Sequence, residues 1–256
     1  MSDLTPFFAP KSVAVVGASA RESSVGHAVL KNLLEGGMPA HWAPKDGSTG
    51  FPGPVYPVNH KGGEILGRQV FKSLGEIGEP IDLIVVAIPP KYIPGVMDEA
   101  GGLGVPAAIV ISAGFSEMGE EGQALQDDML ARAQKHGIRV VGPNCLGVIR
   151  PETMLNASFG AGGPPAGPIG LLSQSGALIT GLISYTEREH FGLSAAVSLG
   201  AKADVDDVEM LRWLGEDEAT KAAAIYVEAF PEPRKFMEAA AEVARKKPVV
   251  ALKGGA

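Results

Sequence analysis

Short apolar runs alternate along the first half of this chain with segments of helical periodicity. The predicted strands cover residues 13–16, 54–59, 82–88, 107–112 and 138–141, and the predicted helices between them cover residues 25–35, 92–103 and 117–136. Continuous apolar strands that are joined by helices are buried on both faces, with the helices supplying the cover. The sequence therefore predicts an α/β fold with mainly parallel sheets.

The same alternation resumes after residues 160–168, which read GAGGPPAGP. A segment so rich in glycine and proline is typical of a loop or domain boundary. Beyond it, strands are predicted at residues 169–173, 193–199, 222–227 and 248–252, with helices at 176–190, 205–214 and 231–245. Because 256 residues are enough for two α/β domains, we predict a first domain over residues 1–160, a linker over 161–168 and a second domain over 169–256.

Charge and cysteine content exclude several classes of function. A formal net charge of −7 argues against nucleic acid or an anionic membrane as the main partner. The single cysteine, Cys145, excludes an internal disulfide and a cysteine-based zinc site, and it is interpreted as a small buried residue. No apolar run approaches the roughly 20 residues that span a bilayer. The short N-terminal run follows Asp3, unlike a secretion signal, so we expect a cytoplasmic protein without a metal site.

Residues 12–35 combine a strand, a small polar turn and a helix. The strand ends at Gly17, and helical spacing restarts at Val25. Such a turn directs backbone N–H groups and the positive end of a helix dipole at one point, where an anion such as a pyrophosphate binds. The glycine spacing of the usual dinucleotide fingerprint is absent. An α/β turn that binds no nucleotide is the alternative interpretation.

The end of the second predicted strand favours a ligand with an extra phosphate. A nicotinamide dinucleotide would require an acidic residue there to hold its ribose hydroxyls. The strand instead ends in Asn59, His60 and Lys61. A cation at this place suits a phosphorylated ribose, so NADP or coenzyme A (CoA) fits better than NAD.

Three more loops follow strand ends of the first domain, at residues 89–90, 112–115 and 142–144. Ligands of parallel sheets bind beyond the carboxyl ends of the strands, which makes these loops candidate contacts. Their residues are small, polar or proline, and this composition allows a ligand to approach the backbone closely. A role only in reversing the chain is the alternative.

A second anion site is predicted at residues 173–176, which read SQSG directly before a helix whose first turn carries no acid. Two hydroxyls, Gly176 and the helix dipole suit a phosphoryl group. Glu228 ends a strand of the same domain, on the side of the sheet where ligands bind. The alternatives are a serine that only caps the helix and an ordinary exposed glutamate.

Seven segments in order resemble the NDP-forming acyl-CoA synthetases, relatives of the succinyl-CoA synthetase alpha subunit. They are VAVVGAS near Val13, VYPVN near Val55, VISAGFSEMGEEG from Val110, RVVGPNCLGVI from Arg139, LLSQSGAL from Leu171, SLGAKADVD from Ser198 and KKPVVALKGG from Lys246. The resemblance covers nearly the whole chain and is of the acetate:CoA ligase (ADP-forming) alpha-subunit type. It implies a Rossmann-like CoA-binding domain followed by a flavodoxin-like domain.

The resemblance also implies a reaction and a set of site residues. This family interconverts an acyl-CoA, ADP and phosphate with the free acid, CoA and ATP, through an acyl phosphate and a phosphohistidine. By position, the CoA phosphates would lie against Gly17, Ala18, Ser19, Val25 and Gly26. The ribose phosphate would lie beside Pro57, Asn59 and Lys61, the adenine near Pro89, and the pantetheine arm with its thiol along Ser112, Ala113, Gly114 and Asn144. The implied catalytic residues are Ser173, Ser175 and Gly176, which would hold the phosphoryl group, and Glu228, which would orient the histidine.

The sequence departs from the family pattern at its end. The phosphohistidine segment of the family lies shortly after KKPVVALKGG, and this sequence stops before it. That role is transferred to none of the five histidines, His27, His41, His60, His136 and His190. ATP, ADP and magnesium are expected on an ATP-grasp subunit or domain. We therefore expect a chain that binds CoA, acts on a small carboxylic acid within an oligomer with that partner, and does not turn over alone.

Two smaller departures are Ala201, where many relatives have asparagine, and the extra residues 38–50, which we interpret as an interface or surface loop. Two other functions stay open. If the chain is complete, it is a CoA or acyl-CoA sensor or a regulatory module. An NADP-dependent reductase is the third interpretation, and the missing dinucleotide fingerprint disfavours it.

Overall fold

The computed structural model describes residues 3–37 and 49–254. The strands of the first half are β1 (Val13–Val16), β2 (Val55–Val58), β3 (Glu64–Ile65), β4 (Arg68–Gln69), β5 (Leu83–Val86), β6 (Ala107–Val110) and β7 (Arg139–Val141). The helices are α1 (Val25–Glu35), α2 (Ile93–Gly102) and α3 (Glu120–Lys135). Strands β3 and β4 form a hairpin, and the other five form a parallel sheet in the order β2-β1-β5-β6-β7.

Strand β1 shows why this sheet needs helices on both faces. All four of its residues are buried, and successive side chains point to opposite faces. Val15 belongs to the core cluster that contains Leu30 of α1, whereas Ala14 belongs to the cluster that contains Met97 of α2. The chain moves to one side of β1 for β2 and to the other side for β5. This reversal opens a crevice at the carboxyl ends of β1 and β5.

The second sheet contains β8 (Gly147–Arg150), β9 (Leu155–Ser158), β10 (Ala166–Ser173), β11 (Leu193–Ser198), β12 (Ala222–Val227) and β13 (Val249–Lys253). Its helices are α4 (Gly176–Glu189), α5 (Asp207–Glu216) and α6 (Pro233–Ala244). The strand order is β13-β12-β10-β11-β8-β9. The strands from β10 to β13 run parallel, and β8 runs antiparallel to both β11 and β9. The predicted α/β class with mainly parallel sheets is confirmed for both halves.

Strands β8 and β9 and the β3–β4 hairpin were not predicted. Both β8 and β9 are four residues long and lie among glycines and prolines, so their apolar pattern is too short to stand out. By strand pairing the second sheet begins at Gly147, and β10 starts at Ala166, inside the predicted linker. The division into domains at residues 161–168 stays a prediction. Helix α3 starts at Glu120 because a 3₁₀ turn occupies Ser116–Met118.

The two sheets are joined where residues 199–205 run beside residues 140–143. The N–H groups of Ala201, Ala203 and Val205 donate to the carbonyls of Pro143, Gly142 and Val140 over 2.9, 3.0 and 3.1 Å. A single core cluster includes Val15 of the first sheet and Val197 of the second. The strand ends of both halves therefore face a common region.

No helix in the described part of the chain is long and apolar enough to cross a membrane. Of the predicted insertion at residues 38–50, only Thr49 and Gly50 fall inside the described residues.

Candidate functional site

Two glycines bring the end of β1 against the start of α1. Gly17 has a φ of +99°, and a Cβ there would lie 2.3 Å from the carbonyl oxygen of Ala87. A Cβ at Gly26 would lie 1.9 Å from the carbonyl oxygen of Gly17. Side chains cannot be accommodated at either position without moving the backbone. The turn thus requires glycine at two of the predicted CoA residues.

The turn presents backbone donors at the start of α1. Ser24 caps the helix, accepting a hydrogen bond from the N–H of His27 over 3.2 Å. Within residues 3–37 and 49–254, the N–H groups of Val25 and Gly26 donate no hydrogen bond. The first turn of α1 also carries no acidic residue. Free N–H groups and the positive end of the dipole make this helix end suited to an anion.

Asn59 ties the end of β2 to this turn. Its Nδ2 donates to the carbonyl of Ala18 over 2.8 Å, and its Oδ1 accepts from the N–H of Lys61 over 3.0 Å. The side chain of Lys61 is exposed beside it. Pro57 is buried inside β2 rather than at its end. Of the three residues predicted beside the ribose phosphate, Lys61 alone extends into solvent.

The loops after β5 and β6 meet next to the first turn. Ser112 donates its hydroxyl to the carbonyl of Ile88 over 2.7 Å. Gly114, with a φ of +104°, has no room for a Cβ, which would lie 2.8 Å from Cγ of Pro90. The predicted contacts Pro89 and Ala113 are exposed on these loops.

Glu117 anchors the loop after β6, a residue that the sequence did not single out. It accepts the N–H of Gly114 over 2.6 Å. Burial acts to raise the pKa of the Glu117 carboxyl, but hydrogen bonds from backbone N–H groups outweigh burial and lower that pKa. Glu117 accepts the N–H three residues before it, as the glutamate of a capping box does.

Asn144 is the exposed residue of an otherwise buried loop at residues 142–147. It has a φ of +55°, and its N–H donates to the carbonyl of Ser112 over 3.0 Å. The neighbouring Cys145 is buried, and burial raises the pKa of its thiol to about 12. Cys145 is only 4% exposed, which confirms its interpretation as a buried residue.

In the second turn both serines bond within the loop. The Ser173 hydroxyl accepts the N–H of Ser175 over 3.0 Å and donates to the Ser175 carbonyl over 2.9 Å. The Ser175 hydroxyl caps α4, accepting the N–H of Leu178 over 3.3 Å. The N–H groups of Gly176 and Ala177 donate no hydrogen bond within the described part of the chain. The donors that face outward here are therefore backbone groups.

Gln174 connects this turn to Glu228. Its Oε1 accepts from the N–H groups of Glu228 and Ala229 over 2.5 and 3.0 Å. Glu228 is exposed at the carboxyl end of β12, and its backbone is held beside the second turn by this bond to Gln174. The sequence did not single out Gln174. Its position between the two predicted serines, Ser173 and Ser175, is the one sequence feature that indicated a role in this turn.

Lys202 also holds the segment around Glu228, through the neighbouring residue Ala229. The sequence did not single out Lys202. Its Nζ lies 3.2 Å from Oδ2 of Asp207 and donates to the carbonyl of Ala229 over 2.7 Å. Both charged side chains are only 4% exposed. The spacing of five residues suggested no contact, because Asp207 begins α5 after a bend in the chain.

The loop at residues 142–147 lies between the two turns. The N–H of Leu146 donates to the Ser198 hydroxyl over 2.9 Å, and a Cβ on Gly176 would lie 3.2 Å from Cβ of Leu146. A Cβ on Gly200 would lie 2.2 Å from the carbonyl oxygen of Pro143. The exposed Asn144 thus stands between the first-sheet loops and the second turn.

No cluster of three or more potential metal ligands occurs among residues 3–37 and 49–254. The predicted site residues instead present backbone N–H groups, the Lys61 side chain and the Glu228 carboxylate. The N–H groups and Lys61 are donors of a kind that suits phosphate groups.

Comparison with known proteins gives matches over both halves. A family model described as a CoA binding domain matches residues 11–151, and one described as a succinyl-CoA ligase like flavodoxin domain matches residues 166–256. The chain is 44% identical over 256 residues to the alpha subunit of acetate–CoA ligase (ADP-forming) I of Pyrococcus furiosus, covering 98% of this chain and 53% of that subunit. It is 34% identical over 255 residues to 4-hydroxybutyrate–CoA ligase (ADP-forming) of Nitrosopumilus maritimus, covering 98% of this chain and 34% of that protein.

Among solved structures, the chain is similar to a dinucleotide-forming acetyl-coenzyme A synthetase 1 of Candidatus Korarchaeum cryptofilum in complex with phosphate and ADP. The TM-score is 0.90 and the identity 36%, over 100% of this chain and 52% of that one. The chain spans about half the length of these relatives, or less.

Proposed function

Since this chain belongs to the family of NDP-forming acyl-CoA synthetases, we propose that it is the CoA-binding and phosphoryl-loop portion of an acid:CoA ligase. The proposed reaction interconverts an acyl-CoA, ADP and phosphate with a small carboxylic acid, CoA and ATP. The two curated relatives above are named for acetate and for 4-hydroxybutyrate, so we assign the class of acid and not one member.

Two components of the proposed enzyme lie outside this sequence: the histidine that carries the phosphoryl group, and the site for ATP, ADP and magnesium. They belong to an ATP-grasp partner or to further chain, in keeping with the share of its relatives that this chain spans. Cytoplasmic location and assembly with that partner are part of the same proposal.

The observation that carries the proposal is an unbroken series of contacts between the two anion-binding turns. Gly17 touches Ala87 at the end of β5, and the next residue, Ile88, accepts from Ser112. Ser112 in turn accepts the N–H of Asn144, whose loop contacts the second turn. A ligand with its phosphates at the first turn can run along these loops, and its far end then reaches Asn144.

CoA fits this path by its chemistry. Its pyrophosphate would accept hydrogen bonds from the free N–H groups of Val25 and Gly26, and Lys61 would pair with the phosphate on its ribose. The pantetheine arm would run past Ser112 to Asn144. Because Cys145 is buried with a raised thiol pKa, the reacting thiol is that of CoA itself.

The second turn would hold the transferred phosphoryl group. The N–H groups of Gly176 and Ala177 are free to donate to its oxygens, and the α4 dipole adds to their attraction. The Glu228 carboxylate would accept the N–H of the phosphorylated imidazole and hold it toward this turn. Gln174 keeps Glu228 in place through the backbone.

Isothermal titration of this chain with CoA tests the proposal, with Gly26→Ala as the perturbation. The added Cβ would lie 1.9 Å from a backbone oxygen, so the donors of the turn must shift. Two lost hydrogen bonds to a charged group weaken binding by about a hundredfold or more. The matched control is Gly95→Ala in α2, where a Cβ meets nothing within 4 Å. Thermal melts check that both variants are folded.

The wild-type protein and the control should bind CoA alike, and Gly26→Ala should bind it far more weakly. Binding of NADPH without CoA would refute the CoA assignment and favour a reductase. Equal affinity of Gly26→Ala and Gly95→Ala would refute the placement of the phosphates.

A further inference from the structure

Two side chains hold adjacent carbonyl groups of the β1–α1 turn. Asn59 donates from Nδ2 to the carbonyl of Ala18 over 2.8 Å, and Nδ1 of His27 lies 2.9 Å from the carbonyl oxygen of Ser19. A carbonyl oxygen can only accept, so Nδ1 carries the hydrogen. His27 is only 8% exposed. His27 has no role in the proposed reaction as described above.

Fixing a carbonyl also fixes the next N–H group. The peptide unit is planar and trans, so the C=O of one residue and the N–H of the next point in opposite directions. The N–H of Ser19 therefore points away from Asn59, and the N–H of Ala20 points away from His27. Within residues 3–37 and 49–254, neither N–H group donates a hydrogen bond.

We infer that His27 and Asn59 are positioning residues, which turn the N–H groups of Ser19 and Ala20 toward the anion. The inference rests on the proposed function, since the anion is the pyrophosphate of CoA. A turn made of small residues resists rotation of its peptide units only weakly, and a rotated unit would present a carbonyl oxygen to the phosphates. Each of the two side chains holds one of these carbonyl groups and so opposes that rotation. For Asn59 this role is additional to its predicted place beside the ribose phosphate, which stays a prediction.

The experiment compares four variants with the wild-type chain by CoA titration and by ¹⁵N-resolved NMR of the backbone amides. His27→Leu removes the donor, whereas His27→Asn keeps one, because Asn Nδ2 occupies nearly the place of His Nδ1. Asn59→Leu removes the other donor. Asn32→Leu is the control: it also lies on α1 and donates to two backbone carbonyls, those of Ser158 and Gly160, away from the turn.

His27→Leu should weaken CoA binding by about tenfold or more, the effect of one hydrogen bond to a charged group. CoA should move the Ala20 amide proton signal downfield in the wild-type protein but not in His27→Leu, while the Gly26 signal still moves in both. Asn59→Leu should lose the corresponding shift of Ser19. His27→Asn and Asn32→Leu should bind CoA as the wild type does, although Asn32→Leu should melt at a lower temperature.

Unchanged CoA affinity in His27→Leu would overturn the inference. A His27→Asn variant that binds CoA as weakly as His27→Leu would also overturn it. The effect of His27 would then not come from the hydrogen bond that it donates to the Ser19 carbonyl. If the wild-type protein shows no CoA binding at all, the proposed function is refuted and this inference with it. CoA binding by the wild-type protein tests the proposed function, and the affinities of the His27 variants test this inference.

Discussion

Replacing Lys202 by methionine should destabilise this protein strongly. Lys202 and Asp207 form an ion pair in which both side chains are 4% exposed, and Lys202 also donates to the carbonyl of Ala229. Methionine keeps the length of the side chain but leaves the Asp207 carboxylate buried without its partner. Removing one member of a buried pair costs about 3–5 kcal/mol. We expect the lower end of this range, because Asp207 lies in the first turn of α5 and the helix dipole still favours its charge.

Thermal unfolding followed by circular dichroism measures the loss, and for a chain of this size a melting point lower by about 10 °C is expected. Lys235→Met is the matched control: Lys235 pairs with Glu232, but their side chains are 65% and 54% exposed, so no measurable change is expected. The double variant Lys202→Met/Asp207→Leu should melt above Lys202→Met, because no unpaired charge remains buried. Equal melting points for Lys202→Met and Lys235→Met would refute the reasoning.

Two further predictions concern titration and reactivity. Burial acts to raise the pKa of the Asp217 carboxyl, but the hydrogen bonds from Arg150 and other groups outweigh it, so the pKa lies below its ordinary 3.8. The ionised Asp217 carboxylate therefore stabilises the folded protein at a pH above 3.8. This stabilisation is lost as the pH falls through the lowered pKa of the folded state, so the melting point should drop in acid. Arg150→Met should flatten this dependence, and an unaltered slope would contradict it. Cys145 should resist a thiol reagent at pH about 8 in the folded protein and react once denatured; fast labelling without denaturant would count against its burial.

The first turn could be predicted because its requirements are local. A strand that ends at Gly17 and a helix that begins near Gly26 are evident in a single stretch of sequence. The same holds for residues 173–176 before α4, where serine and glycine types indicate a helix start. Short-range sterics and capping determine both turns.

The contacts that complete the site depend on residues far apart in the chain. Asn59 bonds to Ala18, 41 residues earlier, and Lys202 bonds to Ala229, 27 residues later. Strand β8 joins the second sheet by pairing with β11, which follows it by more than 40 residues. A pattern within one segment carries no information on such pairings, because they are decided when the sheets pack together.

The most direct test of the central claim, that CoA binds from the first turn to the second, is a crystal structure of this chain in complex with CoA. We predict the pyrophosphate within hydrogen-bond distance of the N–H groups of Val25 and Gly26, and the thiol beside Asn144, facing residues 173–176. A pyrophosphate bound away from this turn, or a thiol that points away from the second turn, would contradict the account.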